Sequence, residues 1–310
     1  MMTGSTTLTA QTSHGAIPQA SRLQQAVTAT AVVLPFLGLL TAIGLWWGRG
    51  FTWTELSLFL GMYLATGLGV TVGYHRLFTH RSFETVRPIK FVLAVLGSMS
   101  IEGPLLRWAA VHRRHHQNSD GAEDPHSPNG FGGGVRGVLA GWWHAHIGWM
   151  FADPPPNLGR YVADLQADKL LRIISRLFPL WVVLGLMIPT ILGALVTGTW
   201  TGAVLGFIWG GLVRTFFVHH ATWSINSVCH LWGWRPFRTR DHSRNNLLFG
   251  VLGLGEGWHN NHHAFPSSAR HGLKWWEFDL SYLVIRALEL IGLAWRVRLP
   301  ANRLQKGLNP

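Results

Sequence analysis

The sequence predicts an all-α integral membrane protein, with four transmembrane helices in two hairpins and a cytoplasmic helical cap. Three observations predict it. Of 310 residues, 48% are hydrophobic and only 13% charged, against roughly 25% charged in soluble domains. Four apolar stretches are each long enough to cross a bilayer, which takes about 20 residues. Of 26 Lys plus Arg, 12 fall within residues 74–177 and 11 within 220–310. Those are the two long polar segments, and the positive-inside rule puts both on the cytoplasmic side.

In chain order, residues 1–20 are rich in Ser, Thr, Gln and Ala without periodicity. They read as a disordered tail and lack the basic start of a signal peptide. Spans at 26–47 and 53–74 flank the tight turn Gly48-Arg49-Gly50 and form one antiparallel pair. Segment 89–101 is apolar but too short to span, and reads as a core or re-entrant helix. Spans at 178–197 and 201–219, joined by Gly198-Thr199-Trp200, form the second hairpin. The cap is built from 75–177 and 220–300. Residues 21–300 make one domain, and 301–310 a C-terminal tail. The remaining cations are Arg22 near the start, Arg49 in a turn and Arg214 within the fourth span.

Composition also excludes function classes. One cysteine, Cys229, leaves no intrachain disulfide and no Cys-based zinc or iron–sulfur site. The net charge of +12 comes with no basic run or aromatic-interleaved module, so nucleic acid is not an expected partner. The charge tracks topology, and a basic face suits acidic headgroups, cofactor phosphates or an acidic redox protein.

Nine of the 17 histidines fall in or beside three boxes. Box one is His75-Arg76-Leu77-Phe78-Thr79-His80. Box two holds His112, His115 and His116, and box three holds His259, His262 and His263. The i, i+3, i+4 spacing of boxes two and three lines up imidazoles on one helix face. Five-residue spacing puts the box-one rings about 140° apart on an ideal α-helix, so they are expected to address different points. His230, four residues after Asn226, adds a ninth candidate. Nine imidazoles exceed what one ion takes and suit two, with a position left for substrate or oxygen.

For His14, His126, His144, His146, His219, His220, His242 and His271 the expectation is a surface or capping role. Neither HEXXH nor a Cys pair occurs, so protease-type and structural zinc lack support. All-nitrogen ligation beside an apolar bundle fits redox iron and dioxygen chemistry on an unactivated C–H bond, which redox-inert zinc does not perform.

The flanking text resembles the membrane-bound fatty-acid desaturase family, in particular its Δ9 acyl-CoA (stearoyl-CoA-type) branch. The likeness runs over Gly73–His80, Trp108-Ala109, Asp124-Pro125-His126, Ala221–Ser227 and Gly255–Pro266. The resemblance implies a four-helix stalk below a cytoplasmic cap with two irons at the junction. It assigns His75, His112, His116 and His259 to one iron, with Asn226 reaching it through water. His80, His115, His230, His262 and His263 fall to the other. It further implies a bent acyl tunnel shaped by Trp108, Thr222 and Trp223, with Glu102 where animal members have Gln. Tyr63 and Gly67 match positions closing the tunnel's far end.

The activity that this resemblance implies is O2-dependent insertion of a cis double bond, at Δ9, into a long saturated acyl chain. The acyl group is carried on CoA, a carrier protein or a lipid. Two electrons come from a separate ferredoxin- or cytochrome b5-like protein with its reductase. The site histidines are ligands with no further catalytic residue, and carboxylates such as Glu256 orient the rings. Expected location is multi-pass, in the inner membrane of a bacterium or the endoplasmic reticulum of a eukaryote. Two other readings stand beside it. One is a fatty-acid or alkane hydroxylase on the same centre. The other, of a different class, is a non-enzymatic membrane carrier of haem or metal.

Overall fold

The computed structural model describes residues 21–49, 51–152 and 155–300; the expected tails at 1–20 and 301–310 lie outside them. Four helices are long and apolar enough to cross a membrane: Arg22–Leu45, Trp53–Thr79, Phe178–Thr197 and Trp200–His230. In the first and third only 17% of the apolar window is buried within the protein. Leu37, Leu40, Ile43, Leu195 and Val196 accordingly point outward. Apolar helices with apolar outer faces belong in lipid, where every backbone polar group is satisfied within the helix. The chain is a multi-pass membrane protein.

The first hairpin joins α1 (Arg22–Arg49) to α2 (Trp53–Leu68), which starts on a capping box between Thr52 and Glu55. The second turns through Gly198, whose φ of +66° is left-handed backbone that glycine adopts without a Cβ clash. Helix α2 does not stop where its apolar run ends. It continues as a π-helix over Gly69–Thr79, which carries His75 and ends at His80, so that box one forms the end of that span.

The cap begins with α3 (Arg87–Met99), α4 (Leu105–Asn118) and α5 (Gly134–His146), then two short helices, α6 (Ala163–Ala167) and α7 (Lys169–Arg176). The expected short helix at 89–101 is α3. It packs so closely on the box-one π-helix that a Cβ on Gly69 would lie 2.2 Å from the Gly97 nitrogen. The second hairpin is α8 (Phe178–Thr197) and α9 (Trp200–Gly206), the latter passing through a π-helical stretch Phe207–Val213 into α10 (Arg214–Ser227). A 3-10 turn, Val228–His230, ends that span on a histidine. Three short helices complete the cap: α11 (Leu247–Leu252), α12 (His259–Ala264) and α13 (Leu280–Leu290). A two-stranded antiparallel sheet, β1 (Glu84–Thr85) with β2 (Ala294–Trp295), clips the C-terminal segment onto the cap.

Arg214 shows how the stalk meets the cap. Its guanidinium is fully buried and donates to the carbonyls of Met99, Gly185 and Gly210 at 2.9, 2.8 and 3.1 Å. Three elements, α3, α8 and the last span, are thus tied at one point. A buried cation in a span is costly unless its donors find oxygen partners, and here the three carbonyls supply them. The cap core lies directly above, with Tyr74, Leu105, Ala109, Ile174 and Ile285 almost wholly buried in one cluster.

Candidate metal centre

Box one sits on π-helical backbone, where bonds run i→i+5: the amide of His80 donates to the carbonyl of His75 at 3.0 Å. This wider winding brings residues five apart onto one face. The rings of His75 and His80 are consequently 4.7 Å apart. The divergence expected from an ideal α-helix is not found, because the helix there is not α.

Two groups of imidazoles result. The first is His75, His80, His112, His116 and His262; the second is His115, His230, His259 and His263. In the first, Nε2 of His262 lies 3.2 Å from that of His75 and 2.9 Å from that of His116, which is 3.0 Å from Nε2 of His112. In the second, Nε2 of His230 is 2.9 Å from Nε2 of His259, and the His259 and His263 rings are 4.4 Å apart. The groups adjoin, with His116 and His263 stacked at 4.5 Å.

All nine expected ligands come together, but not in the expected division. His80 and His262 join the group of His75, while His259 joins that of His115. In each HxxHH box the i and i+4 rings serve one group and the i+3 ring the other, with boxes two and three in opposite senses. Helices α4 and α12 therefore both lie between the two groups.

Carboxylates set the tautomers. His115 Nδ1 is 2.9 Å from Asp124, His230 Nδ1 2.9 Å from Asp120 and His263 Nδ1 2.8 Å from Asp241. Glu256 Oε2 lies 2.5 Å from His75 Nδ1 and its other oxygen 3.1 Å from Arg76. A neutral imidazole has one N–H. Where Nδ1–H donates to a carboxylate, Nε2 is a bare lone pair. Nε2 of His80, His115 and His263 is buried with no hydrogen-bond partner, and the bare Nε2 of His230 faces another Nε2. Lone pairs converging this closely repel one another unless a cation sits among them, and carboxylate–imidazole pairing of this kind is how proteins orient metal ligands. The donor set fits transition-metal ligation.

Burial, and then mutual repulsion, hold His80, His112, His116, His259 and His262 well below the ordinary imidazole pKa. Neutral rings are the metal-binding form. Burial by itself raises Asp120, Asp124 and Asp241. The histidine each one touches, together with hydrogen bonds from nearby amides and hydroxyls, more than offsets this, leaving all three well below the usual carboxylate range.

The surface or capping role expected for the other histidines fails at four positions. His126, His146, His219 and His271 are buried. His271 accepts from Arg76 at Nδ1 (3.2 Å) and packs 4.4 Å from the ring of His262. His126 packs 4.4 Å from the ring of His115. His146 bridges Ser227 and His220, both at 2.9 Å, and His219 lies 3.0 Å from the carbonyl of Ser100. His144 and His220 are half-buried and His242 is exposed; His14 lies outside the described residues. Asp124 stands in the Asp124-Pro125-His126 stretch of the resemblance with no role assigned to it, and Asp120 and Asp241 carry no sequence signal. Asp120, Asp124 and Asp241 sit 110, 9 and 22 residues from their histidines, and no helical or strand period links such pairs.

A cavity of about 250 Å3 ends on this centre. His75 and His112 of the first group and His259 of the second line it, together with Asn226, Glu102, Trp108, Thr222 and Trp223. Trp108 stacks on His112 at 5.0 Å. Tyr63 and Gly67 do not line it. The Tyr63 hydroxyl donates to the carbonyl of Leu252 (2.6 Å), and a Cβ at Gly67 would meet Leu254 at 3.0 Å, so Leu254 covers that position.

Glu102 stands apart among the lining residues. Its Oε1 is buried without a hydrogen-bond partner, and the nearby Thr222 hydroxyl donates to the carbonyl of Val218. Burial pushes its pKa up to about 8 despite the neighbouring Thr222 and Trp223. The carboxyl is therefore neutral at pH 7 and ionises as pH rises through about 8. A raised carboxylate loses folded-state stability with rising pH between its ordinary and its shifted value. Turnover is expected to fall above pH 8 in the wild type, while Glu102→Gln keeps a flat alkaline limb. A pH–rate profile of both proteins checks this, and parallel alkaline losses would rule it out.

The sequence profile described as fatty acid desaturase matches residues 52–296. The chain belongs to the fatty acid desaturase family. Among its relatives, the hex-5-enoyl-[acyl-carrier protein] acetylenase of Moorena producens is 47% identical over 274 residues, 88% of this chain and 85% of that protein. The sn-1 stearoyl-lipid 9-desaturase of Synechocystis sp. is 38% identical over 254 residues, 81% of this chain and 74% of that protein. A probable acyl-CoA desaturase of Schizosaccharomyces pombe is 37% identical over 260 residues, 82% of this chain and 52% of that protein. Family membership makes the chain a desaturase-type oxidoreductase of lipid metabolism, and the profile covers all nine clustered histidines.

Proposed function

We propose that this chain inserts a cis double bond, at Δ9, into a long saturated acyl chain, using O2 and two electrons from a separate ferredoxin- or cytochrome b5-like protein. The observation that carries this reading is the end of the cavity. It is lined by histidines of both groups at once, so a chain threaded into it places one C–C bond against the whole centre. Proximity of this kind selects the bond that reacts.

His75, His80, His112, His116 and His262 would hold one iron, and His115, His230, His259 and His263 the other, with Asn226 reaching the centre through water. Iron so bound supplies the redox and oxygen chemistry that zinc lacks. The protein's own residues do the rest. Val70, Trp108, Ile225 and neighbouring apolar walls exclude water from the threaded chain. Asp120, Asp124, Asp241 and Glu256 keep the ligand rings in one tautomer, and neutral Glu102 adds no charge to an apolar channel. The basic polar segments support a cytoplasmic position for this face. The 9-desaturase relative supports the position of the double bond.

Expression in a strain lacking unsaturated fatty acids, with gas chromatography and double-bond location on the products, tests the reading. A Δ9 monoene is expected; a hydroxylated product without alkene would end it. The 47% identity to an acetylenase favours a second reading, in which the same centre oxidises an existing double bond to a triple bond. An alkyne formed from an alkenoyl substrate in the same experiment would establish that.

A further inference from the structure

Helix α11 has a face that nothing among the described residues covers. Leu247, Leu248, Val251 and Leu252 are 42–59% exposed on it, at the i, i+1, i+4 and i+5 positions that make one side of a helix. Its other side rests on Trp258, since a Cβ on Gly250 would lie 2.6 Å from that ring. Trp258 is wholly buried, donates its indole N–H to the carbonyl of Phe278 at 2.8 Å and packs 5.7 Å from Trp276. The turn 274–278 therefore stands beside α11 on the same support, and its Trp275 is 94% exposed. Contiguous apolar surface of this kind marks an interaction site.

Two contacts fix where this surface lies. The Tyr63 hydroxyl, on the second span, donates to the Leu252 carbonyl at 2.6 Å, and Leu254 covers Gly67 one turn further along that span. Leu60 and Leu64, beside Tyr63 on the same helix, are exposed on its outer side. The α11 face thus continues the lipid-facing surface of the stalk. The charge around it has one sign. Between residues 231 and 283 every carboxylate (Asp241, Glu256, Glu277 and Asp279) is buried, whereas Arg238, Arg240 and Lys274 are exposed. Apolar side chains with tryptophan and cations at the rim are what a helix lying in a headgroup boundary presents, and acidic lipid attracts such cations.

We propose that α11 and the 274–278 turn form a membrane-surface anchor, seated among the acyl chains and acidic headgroups of the adjoining leaflet. The anchor does not depend on which reaction the metal centre performs. Tyr63 has a part in it: its hydroxyl satisfies a carbonyl at the end of α11 that lipid could not.

The test uses the full chain in nanodiscs of phosphatidylcholine, with and without phosphatidylglycerol. A nitroxide on Leu248→Cys or Trp275→Cys is read by its relaxation with oxygen, which concentrates in lipid, and with a water-soluble nickel chelate. Glu123→Cys, whose native side chain is 65% exposed, gives the aqueous reference, and the wild type, with its one cysteine buried, the unlabelled control. Both patch labels are expected about 5–10 Å into the boundary, with the one at position 275 shallower when phosphatidylglycerol is left out. A label at position 248 as open to nickel as the one at 123 would overturn the anchor. Burial that arises only on adding an acidic redox protein would also overturn it and assign the face to that protein. Equal depths in the two membranes would overturn the preference for acidic headgroups. The wild-type chain, photolysed with a phospholipid carrying a diazirine on its acyl chain, gives a measurement free of substitutions. Adducts are expected within 247–252; adducts on Leu60 and Leu64 with none there would rule the anchor out.

Discussion

Replacing His262 by alanine is expected to abolish turnover and to remove at least one of two irons per chain. His262 is the only box-three ring in the five-histidine group. Its Nε2 sits between those of His75 and His116, at 3.2 and 2.9 Å. The other four rings of that group come from boxes one and two, so His262 is the link between α12 and that group. Its loss also opens a gap beside His271, whose ring lies 4.4 Å away. Metal analysis with a Mössbauer spectrum of the purified variant checks this. Retention of two irons with an unchanged spectrum would show that the grouping of ligands is wrong. His259→Ala provides the counterpart: it should empty the four-histidine group first, because its Nε2 lies 2.9 Å from that of His230 inside that group.

Asp120→Ala is expected to cost roughly ten- to hundredfold in affinity for the metal of the four-histidine group, the range found when a ligand-orienting carboxylate is removed. Asp120 does more than hold His230. Its carboxylate also accepts from the backbone amide of His242 at 2.7 Å, from Ser127 at 2.8 Å and from Asn129 at 2.7 Å. Its backbone is left-handed, at φ +59°, a conformation that Asp tolerates better than Ala. Asp120→Asn keeps that tolerance and an acceptor oxygen but not the charge, so it should fall between wild type and alanine. Competition with a chelator of known affinity measures both. Equal iron affinity in all three proteins would leave Asp120 a purely structural residue.

His262 and Asp120 differ in how far each could be read in advance. Boxes two and three announce their ligands by spacing, because i, i+3 and i+4 share a face on any α-helix. That nine imidazoles suit two ions comes from counting, and the flanking text points to the family that residues 52–296 match. His262 is therefore legible. Asp120 is not: it pairs with a histidine 110 residues away, and nothing local marks it.

Local chemistry determined the four apolar spans, their pairing into two hairpins and the identity of the nine clustered histidines. Hydropathy and residue spacing are properties of short windows, and the fold keeps them. Only the tertiary structure decided which imidazole belongs to which group. The π-helical winding of Gly69–Thr79 turns His75 and His80 to one side, against the α-helical rule. The packing of α12 between the groups sends His262 one way and His259 the other. The same packing buries His126 and His271 against the centre and leads a cavity down to it. These are relations between segments far apart in the chain, set by which surfaces meet, and no window of sequence contains both sides of such a contact.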